Sequence, residues 1–377
     1  MSLVEPLIVR HALGSYPVYL QPGALAALGE VVAAHCAGRL VALVTDATTG
    51  LLYEAWESGA PSAWREGEAA HDVVPFATRL SLPPGEQHKT RDSWAMLTDA
   101  LLDQGFGRDS ALVGIGGGVI GDLTGFVAAT YQRGVPFVLV PTTLLAMVDA
   151  SVGGKTGVDT PQGKNLIGAF HPPAAVVADP ATLRTLSERE FRAGMAEAVK
   201  HGLITDAAYL AWIEANADAL LARDLDALTH LVRRSVEIKA AVVSQDEREA
   251  GPRAMLNAGH TVAHALEHAS GYGMLHGEAV ALGLRAECVM GELAGLLPDG
   301  TFARVAGALE RLGLPARTTG LTAERVRAAM HRDKKNLAGE TRFALPVGLG
   351  AMAARDGGRW TVALPEDVIA KGLATIL

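Results

Sequence analysis

The stretch SALVGIGGGVIGDLTGFVAATY, residues 110–131, decides the fold class of this 377-residue chain. Residues 110–115 read as a buried strand, and the run Gly116-Gly117-Gly118-Val119-Ile120-Gly121-Asp122 then opens an apolar helix. Gly116, Gly118 and Gly121 fit G-x-G-x-x-G, in which bare backbone lets a pyrophosphate approach the helix N-terminus and its free N–H groups. The acidic residue usual about twenty positions on is missing, because that position falls in an apolar strand. Two readings stay open here, a nucleotide cradle and a tight packing turn. Asp46, at the end of an earlier strand, is a candidate ribose ligand and equally a candidate helix cap.

Outward from this stretch the pattern repeats. Strands are expected at 18–20, 40–45, within 73–82, at 135–140 and at 176–178, with helices at 23–37 and 91–104 between them. Such alternation predicts a largely parallel sheet covered on both faces. Residues 54–71 are polar and rich in small residues, and read as an exposed connection. Beyond Thr182 the texture becomes helical, with periodic segments at 207–215, 225–244, 255–269, 278–293, 302–312 and 323–331. Only 341–345 and 360–362 look strand-like there. The expected division is an α/β domain over 1–181 and a mainly α-helical domain over 182–377.

Hydrophobic content of 49% with 20% charged residues fits an ordinary globular core. A net charge of −8 argues against nucleic acid or an anionic membrane as the main partner. Cys36 and Cys288 are the only cysteines, too few for a disulfide framework, which suits a reducing compartment. The first fourteen residues lack an apolar signal region and no apolar run reaches membrane-spanning length, so a cytoplasmic protein is expected.

Two further stretches carry chemistry. RAMLNAGHTVAHALEHASGYGMLHGEAV, residues 253–280, holds His260, His264, His268 and His276, four of the twelve histidines. The first three recur every four residues, along one face of a helix. Imidazoles from two helices with a carboxylate from elsewhere would make a metal site with an open position, whereas the plain alternative is polar helix residues. Residues 149–165 place Asp149, Lys155, Lys164 and Asn165 among many glycines, which suits an anionic small molecule or, more simply, a solvated loop. A phosphate-binding P-loop is excluded, since its template needs glycine where Asp149 stands. Arg133, Lys200, Lys239 and Arg253 add positive charge to an acidic chain.

Taken in order, GGGVIGDLTGFVAATYQRG, PTTLLAMVDASVGGKTGVDTPQGKNLIGAF, EREFRAGMAEAVKHG, EIKAAVVSQDERE, the histidine-bearing stretch and HRDKK resemble 3-dehydroquinate synthase, a sugar-phosphate cyclase family, from Gly116 to Lys335. The resemblance implies a Rossmann-like nucleotide-binding N-terminal domain, a helical metal-binding C-terminal domain, NAD, and a divalent metal, zinc or cobalt. It implies Glu197, His260 and His276 as metal ligands. For NAD it implies Asp46, Glu86, Lys89, Gly117, Gly118, Val119, Ile120, Gly121, Asp122, Thr142, Thr143, Thr182, Leu183, Arg184 and Thr185, with Lys155 and Lys164 close by. For the substrate it implies Arg133, Asp149, Lys155, Asn165, Lys200, Lys239, Arg253, Asn257, His264 and Lys335. In that family the residue matching Arg133 reaches the neighbouring subunit's site, which implies a homodimer. His268 is left with no role. Three rivals are a cyclase acting on sedoheptulose 7-phosphate, a metal-dependent alcohol or glycerol dehydrogenase, and a catalytically silent scaffold.

Overall fold

A seven-stranded sheet organises the first part of the chain, and its central strands are apolar because both of their faces are covered. The structure, a computed structural model, describes residues 4–12, 14–60, 62–64, 73–331 and 340–377. The backbone falls into two units, Met1–Ser187 with Leu228–Ala240, and Glu188–Ala227 with Ala241–Leu377.

In the first unit the strands are β1 (Leu7–His11), β2 (Gly14–Leu20), β3 (Leu40–Asp46), β4 (Thr78–Leu82), β5 (Ser110–Gly116), β6 (Phe137–Pro141), β7 (Lys155–Thr160), β8 (Gly163–Phe170) and β9 (Ala175–Ala178). Its helices are α1 (Leu28–His35), α2 (Ala47–Glu57), α3 (Arg91–Asp103) and α4 (Gly118–Thr130). The sheet order is β1-β2-β9-β6-β5-β3-β4, parallel except for the β1–β2 pair. Every residue of β5, β6 and β9 is buried, as doubly covered strands require. The chain passes from β3 outward to β4 and then back to β5 on the other side of β3. That reversal is a topological switch point, where open α/β sheets bind ligands beyond the strands' carboxyl ends. Thr45 pairs in register with Ile115, so Asp46 and the glycine run leave adjacent strand ends together.

Two expectations are corrected here. Of residues 149–165, for which a solvated loop was the plainer reading, those from Lys155 onward belong to the antiparallel β7–β8 hairpin, in which Gly157 faces Gly168. A Cβ on Gly168 would lie 2.2 Å from the Thr156 carbonyl oxygen, so the glycines that suggested a loop permit two backbones to touch. Of the stretch 54–71, residue 61 and residues 65–71 lie outside the described residues, and the rest is not simply an exposed connection. Residues 54–57 finish α2, and Trp56 and Trp64 are buried in the core with Leu28, Val31 and Val113. Two isolated tryptophans in a polar stretch carry no periodicity to announce this.

The helices after β9 are α5 (Glu188–Thr205), α6 (Ala207–Ala215), α7 (Ala217–Leu221), α8 (Leu225–Gln245), α9 (His260–Ala269), α10 (His276–Leu293), α11 (Thr301–Arg311), α12 (Ala323–His331) and α13 (Glu366–Ala374), all but most of α8 in the second unit, which also holds a short pair β10 (Arg342–Phe343) and β11 (Val362–Ala363). Leu228–Ala240 of α8 groups with the first unit. The continuous helix expected over 255–269 is broken. Pro252–Asn257 form a 3₁₀ turn, and Gly259 takes a left-handed φ of 80° so that α9 starts at His260. Among the described residues no helix is long and apolar enough to cross a membrane.

Glycines on α10 set how closely its neighbours approach. A Cβ at Gly277 would sit 1.8 Å from the Ala193 carbonyl oxygen of α5, and one at Gly283 would sit 1.9 Å from the Gly259 carbonyl oxygen. Both contacts are to backbone, which cannot swing aside. Gly277→Ala is therefore expected to lower unfolding free energy by about 2 kcal/mol or more in urea titrations. Gly307 on α11 is exposed with open space around its Cβ position. Gly307→Ala should raise stability by about 0.5–1 kcal/mol, and equal effects at the two positions would contradict this packing account.

Candidate active site

Three helices of the second unit converge on one carboxylate. Glu197 lies on α5, His260 opens α9 and His276 opens α10. Glu197 Oε1 stands 3.4 Å from His260 Nε2 and 3.4 Å from His276 Nε2. Ligand atoms about 2.1 Å from a tetrahedral ion lie roughly 3.4 Å apart, so this spacing fits a shared cation. The Glu197 side chain is completely buried, with Lys200 Nζ against its Oε2 and both imidazoles at its Oε1. Such a carboxylate needs positive charge.

The surroundings supply that charge and orient the rings. Lys200, one turn along α5 and also buried, forms an ion pair with Glu197. Burial alone would raise the Glu197 pKa, but Lys200, His276 and His260 together outweigh it and hold the carboxyl well below its usual range. His260 Nδ1 lies 3.1 Å from the Ala258 carbonyl oxygen; a carbonyl only accepts, so the proton sits on Nδ1 and Nε2 presents a lone pair. Burial and the Lys200 charge keep His260 well below the usual histidine pKa and hence neutral. His276 differs. Burial opposes its charge, yet Glu267, 3.4 Å from Nδ1, and Glu197 push its pKa up to about 10. A proton thus stands where a cation can replace it, and Glu267 would then orient the ring from behind. Glu278 fixes the start of α10, accepting from Leu275 N at 3.0 Å and pairing with Arg189 through two 2.7 Å contacts. His264, half-buried, has its ring centroid 5.5 Å from that of His260. His268 is exposed and packs on Tyr272.

Arg253 and Asn257 lie on the 3₁₀ turn before α9. Asp246 builds this turn by accepting from Ala250 N, Gly251 N and Arg253 N. Buried Arg253 donates through Nη1 to the Glu247 carbonyl oxygen, and Asn257 Nδ2 donates to Glu249 Oε1.

In the first unit, a cavity beyond β5 and β6 is lined by Gly116, Gly117, Gly118, Gly121, Ala146 and Ala150. A Cβ on Gly116 would press into Ile120 at 2.7 Å, so packing explains that glycine. At Gly118 and Gly121 the nearest atoms are 3.6 and 3.9 Å away, so packing does not forbid a side chain there. These two glycines keep the cavity open, which fits a ligand's phosphates on bare backbone. Val119 and Ile120 follow in the first turn of α4, Ile120 buried. Asp46 caps α2, accepting from Thr48 N and Thr49 N at 2.9 Å each. Lys89 is buried against Asp122, and Lys164 lies 3.0 Å from Glu86. Burial works against the Lys89 charge, but Asp122, Glu86 and Asp159 raise its pKa overall. Thr142 is buried, and Thr143 Oγ1 accepts from Ala146 N at 3.2 Å. Thr182 and Leu183 are buried in a 3₁₀ turn with exposed Arg184, and Thr185 Oγ1 accepts from Trp64 Nε1 at 2.7 Å.

Asp149 lies on a π-helical turn, 2.6 Å from Lys239 Nζ. Lys155 opens β7, and Asn165 on β8 has a left-handed φ of 53° with its N–H donated to Asp159. Arg133 is exposed with φ 69°, beside Gln132 at φ 51°. Lys335 lies outside the described residues. Sequence reading overlooked Glu267, Glu249 and Asp246. Glu267 follows the i, i+3 spacing from His264, but a glutamate on a helix is ordinarily solvated, and only its burial singles it out.

The family descriptions 3-dehydroquinate synthase N-terminal and 3-dehydroquinate synthase C-terminal match residues 79–193 and 194–336. A 3-dehydroquinate synthase of Geobacter metallireducens is 46% identical over 351 residues, 93% of this chain and 95% of that protein. Among solved structures, a 2-epi-5-epi-valiolone synthase from Streptomyces hygroscopicus with NAD+ and Zn2+ bound superposes with TM-score 0.79 at 29% identity, covering 100% of this chain and 98% of that one. A 2-deoxy-scyllo-inosose synthase complexed with carbaglucose-6-phosphate, NAD+ and Co2+ shares the fold at TM-score 0.87 and 23% identity, covering 99% and 100%.

The Asp246 turn gives a pH prediction. Burial opposes its charge, but the N–H groups of Gly251, Ala250 and Arg253 outweigh it and depress the pKa. A depressed carboxyl contributes stability above its unfolded pKa of about 3.9, and that contribution is lost as pH falls through the folded value. Asp246→Asn should therefore destabilise the protein at pH 6, with the gap to wild type closing below about pH 4. A gap that stays constant in denaturant titrations between those pH values would contradict this.

Proposed function

Because the chain belongs to the 3-dehydroquinate synthase family, we propose that it converts 3-deoxy-D-arabino-heptulosonate 7-phosphate to 3-dehydroquinate and phosphate, the second step of the shikimate route to chorismate and the aromatic amino acids. The enzyme is a carbon–oxygen lyase acting on phosphates. Bound NAD would supply a reversible hydride acceptor for substrate C5, and a divalent zinc or cobalt ion, which Glu197, His260 and His276 would hold, would supply Lewis acidity toward the hydroxyl to be oxidised. The C5 ketone acidifies the adjacent C6 proton and permits phosphate elimination, and after reduction the ring opens and recloses as an aldol. The net reaction is redox-neutral.

The observation that carries this reading is the Glu197–His260–His276 cluster, two of its members buried and His276 half-buried, whose donor set and spacing suit such an ion. In the proposed assignment these three residues hold the metal, and Glu267 orients His276. The cradle of Gly117, Gly118 and Gly121 receives the NAD pyrophosphate, and Asp46, which spends part of its carboxylate on capping α2, offers its remaining lone pairs to the ribose. Glu86, Lys89, Asp122, Thr142, Thr143, Lys164 and the 182–185 turn complete the cofactor side. Lys155, Lys200, Lys239, Arg253 and Lys335 meet the substrate's phosphate and carboxylate, because departing phosphate builds negative charge that fixed cations stabilise. Asn257 and Asn165 orient hydroxyls, and Asp149 holds Lys239 in place. His264 handles a proton, since imidazole titrates in the working range.

The left-handed Gln132–Arg133 turn, with Arg133 exposed, supports a homodimer in which Arg133 serves the partner's site, as strained backbone at non-glycine positions is kept where function needs it. A cytoplasmic location follows from the same reading.

Purified protein with NAD and zinc should release one phosphate per heptulosonate phosphate consumed, without NADH accumulating. Net NADH build-up would instead mark a dehydrogenase, and turnover confined to sedoheptulose 7-phosphate would mark a cyclitol-forming cyclase. In the same preparation light scattering should give the mass of two chains; a monomer active at the dimer's rate would remove the role given to Arg133.

A further inference from the structure

We propose that Glu287 is a positioning residue that fixes His260 for metal binding, an inference that rests on the ligand set assigned above. His260 is the first residue of α9, the place where a helix leaves its backbone N–H groups without partners. The preceding residue is Gly259, which has no side chain to cap them. The cap comes from a different helix. Glu287, buried on α10, accepts from Gly259 N at 2.7 Å through Oε2 and from Val262 N at 3.2 Å through Oε1. One turn earlier on α10, Gly283 lies against the Gly259 carbonyl oxygen, so both polar groups of the Gly259 backbone face α10.

The two oxygens of Glu287 bracket His260, holding the residue before it and the residue two after it. A carboxylate held by two N–H groups resists both rotation and sliding of the first helical turn, and its charge complements the positive end of α9. The Ala258 carbonyl that keeps the His260 proton on Nδ1 comes immediately before Gly259, so loosening the hold on Gly259 releases the ring's tautomer and its aim together. α10 therefore supplies one ligand directly, His276, and sets the position of a second through Glu287, eleven residues further along the same helix.

Zinc affinity, by competition with a chromophoric chelator, and the visible spectrum of cobalt-loaded protein test this in the full chain. Glu287→Ala should weaken zinc binding about 10–100-fold and change the cobalt band. Glu287→Gln, which keeps an acceptor for only one of the two N–H groups, should fall between Glu287→Ala and wild type and decides the matter if the alanine variant fails to fold. Met290→Ala, a buried change on α10, should lower the melting temperature while leaving affinity and spectrum as in wild type. Wild-type affinity and spectrum in the Glu287 variants would overturn the proposal, as would an equal affinity loss in Met290→Ala. His260→Ala separates the two levels: if it binds zinc as wild type does, the ligand assignment itself falls, whereas loss of zinc there with unaffected Glu287 variants removes only the role of Glu287.

Discussion

Backbone-to-backbone contact along α10 is the constraint on which the second unit's chemistry depends. Three ligands drawn from positions 197, 260 and 276 meet only if α5 and the start of α9 both press against α10 at less than ordinary helix spacing. Gly277 and Gly283 permit this by presenting no Cβ to the Ala193 and Gly259 carbonyls. They lie six residues apart and serve different neighbours, one for α5 with Glu197 and one for the turn before His260. Interhelical packing of this kind is discrete, because a carbonyl oxygen cannot fold away as a flexible side chain can.

Electrostatics then completes what packing allows. A fully buried glutamate is costly unless cations face it, and here Lys200 and His276 do so while His260 stays neutral. The donor set is prepared for an ion: one carboxylate, one imidazole with its lone pair free by virtue of Ala258, and one imidazole whose proton an ion can displace. The first unit follows a separate logic. There the glycine run leaves β5 next to the end of β3, a glycine-lined cavity opens beyond β5 and β6, and two of its glycines are required by no packing contact of their own.

Much of this was legible in the residues. The strand-to-glycine-to-helix grammar of 110–131 identifies the sheet, and the histidines of 253–280 identify the metal-binding stretch once Glu197 is found upstream. The three histidines spaced by four look equivalent as residues, the resemblance gives them different parts, and in the structure His260 shares Glu197 with His276 while His264 adjoins them and His268 turns to solvent. Gly259 explains why the helix begins later than its periodicity suggested, since Met255 and Leu256 are apolar at helical spacing but precede a residue in the left-handed region. The β7–β8 hairpin was hidden because its glycines and lysines look like loop composition, and close strand pairing is a relation between distant residues. Glu267 and Glu287 were invisible for a similar reason. Nothing in a helical glutamate's sequence context tells a buried second partner from a solvated one.

The central claim is that one ion is held by a carboxylate and two imidazoles of a single chain. X-ray absorption at the zinc edge of protein loaded with one equivalent of zinc addresses it most directly. The account predicts a four- or five-coordinate shell with two imidazole nitrogens, the rest oxygen, and no sulfur, at metal–ligand distances of about 2.0–2.2 Å. A shell containing sulfur, or one with fewer than two imidazoles, would contradict it.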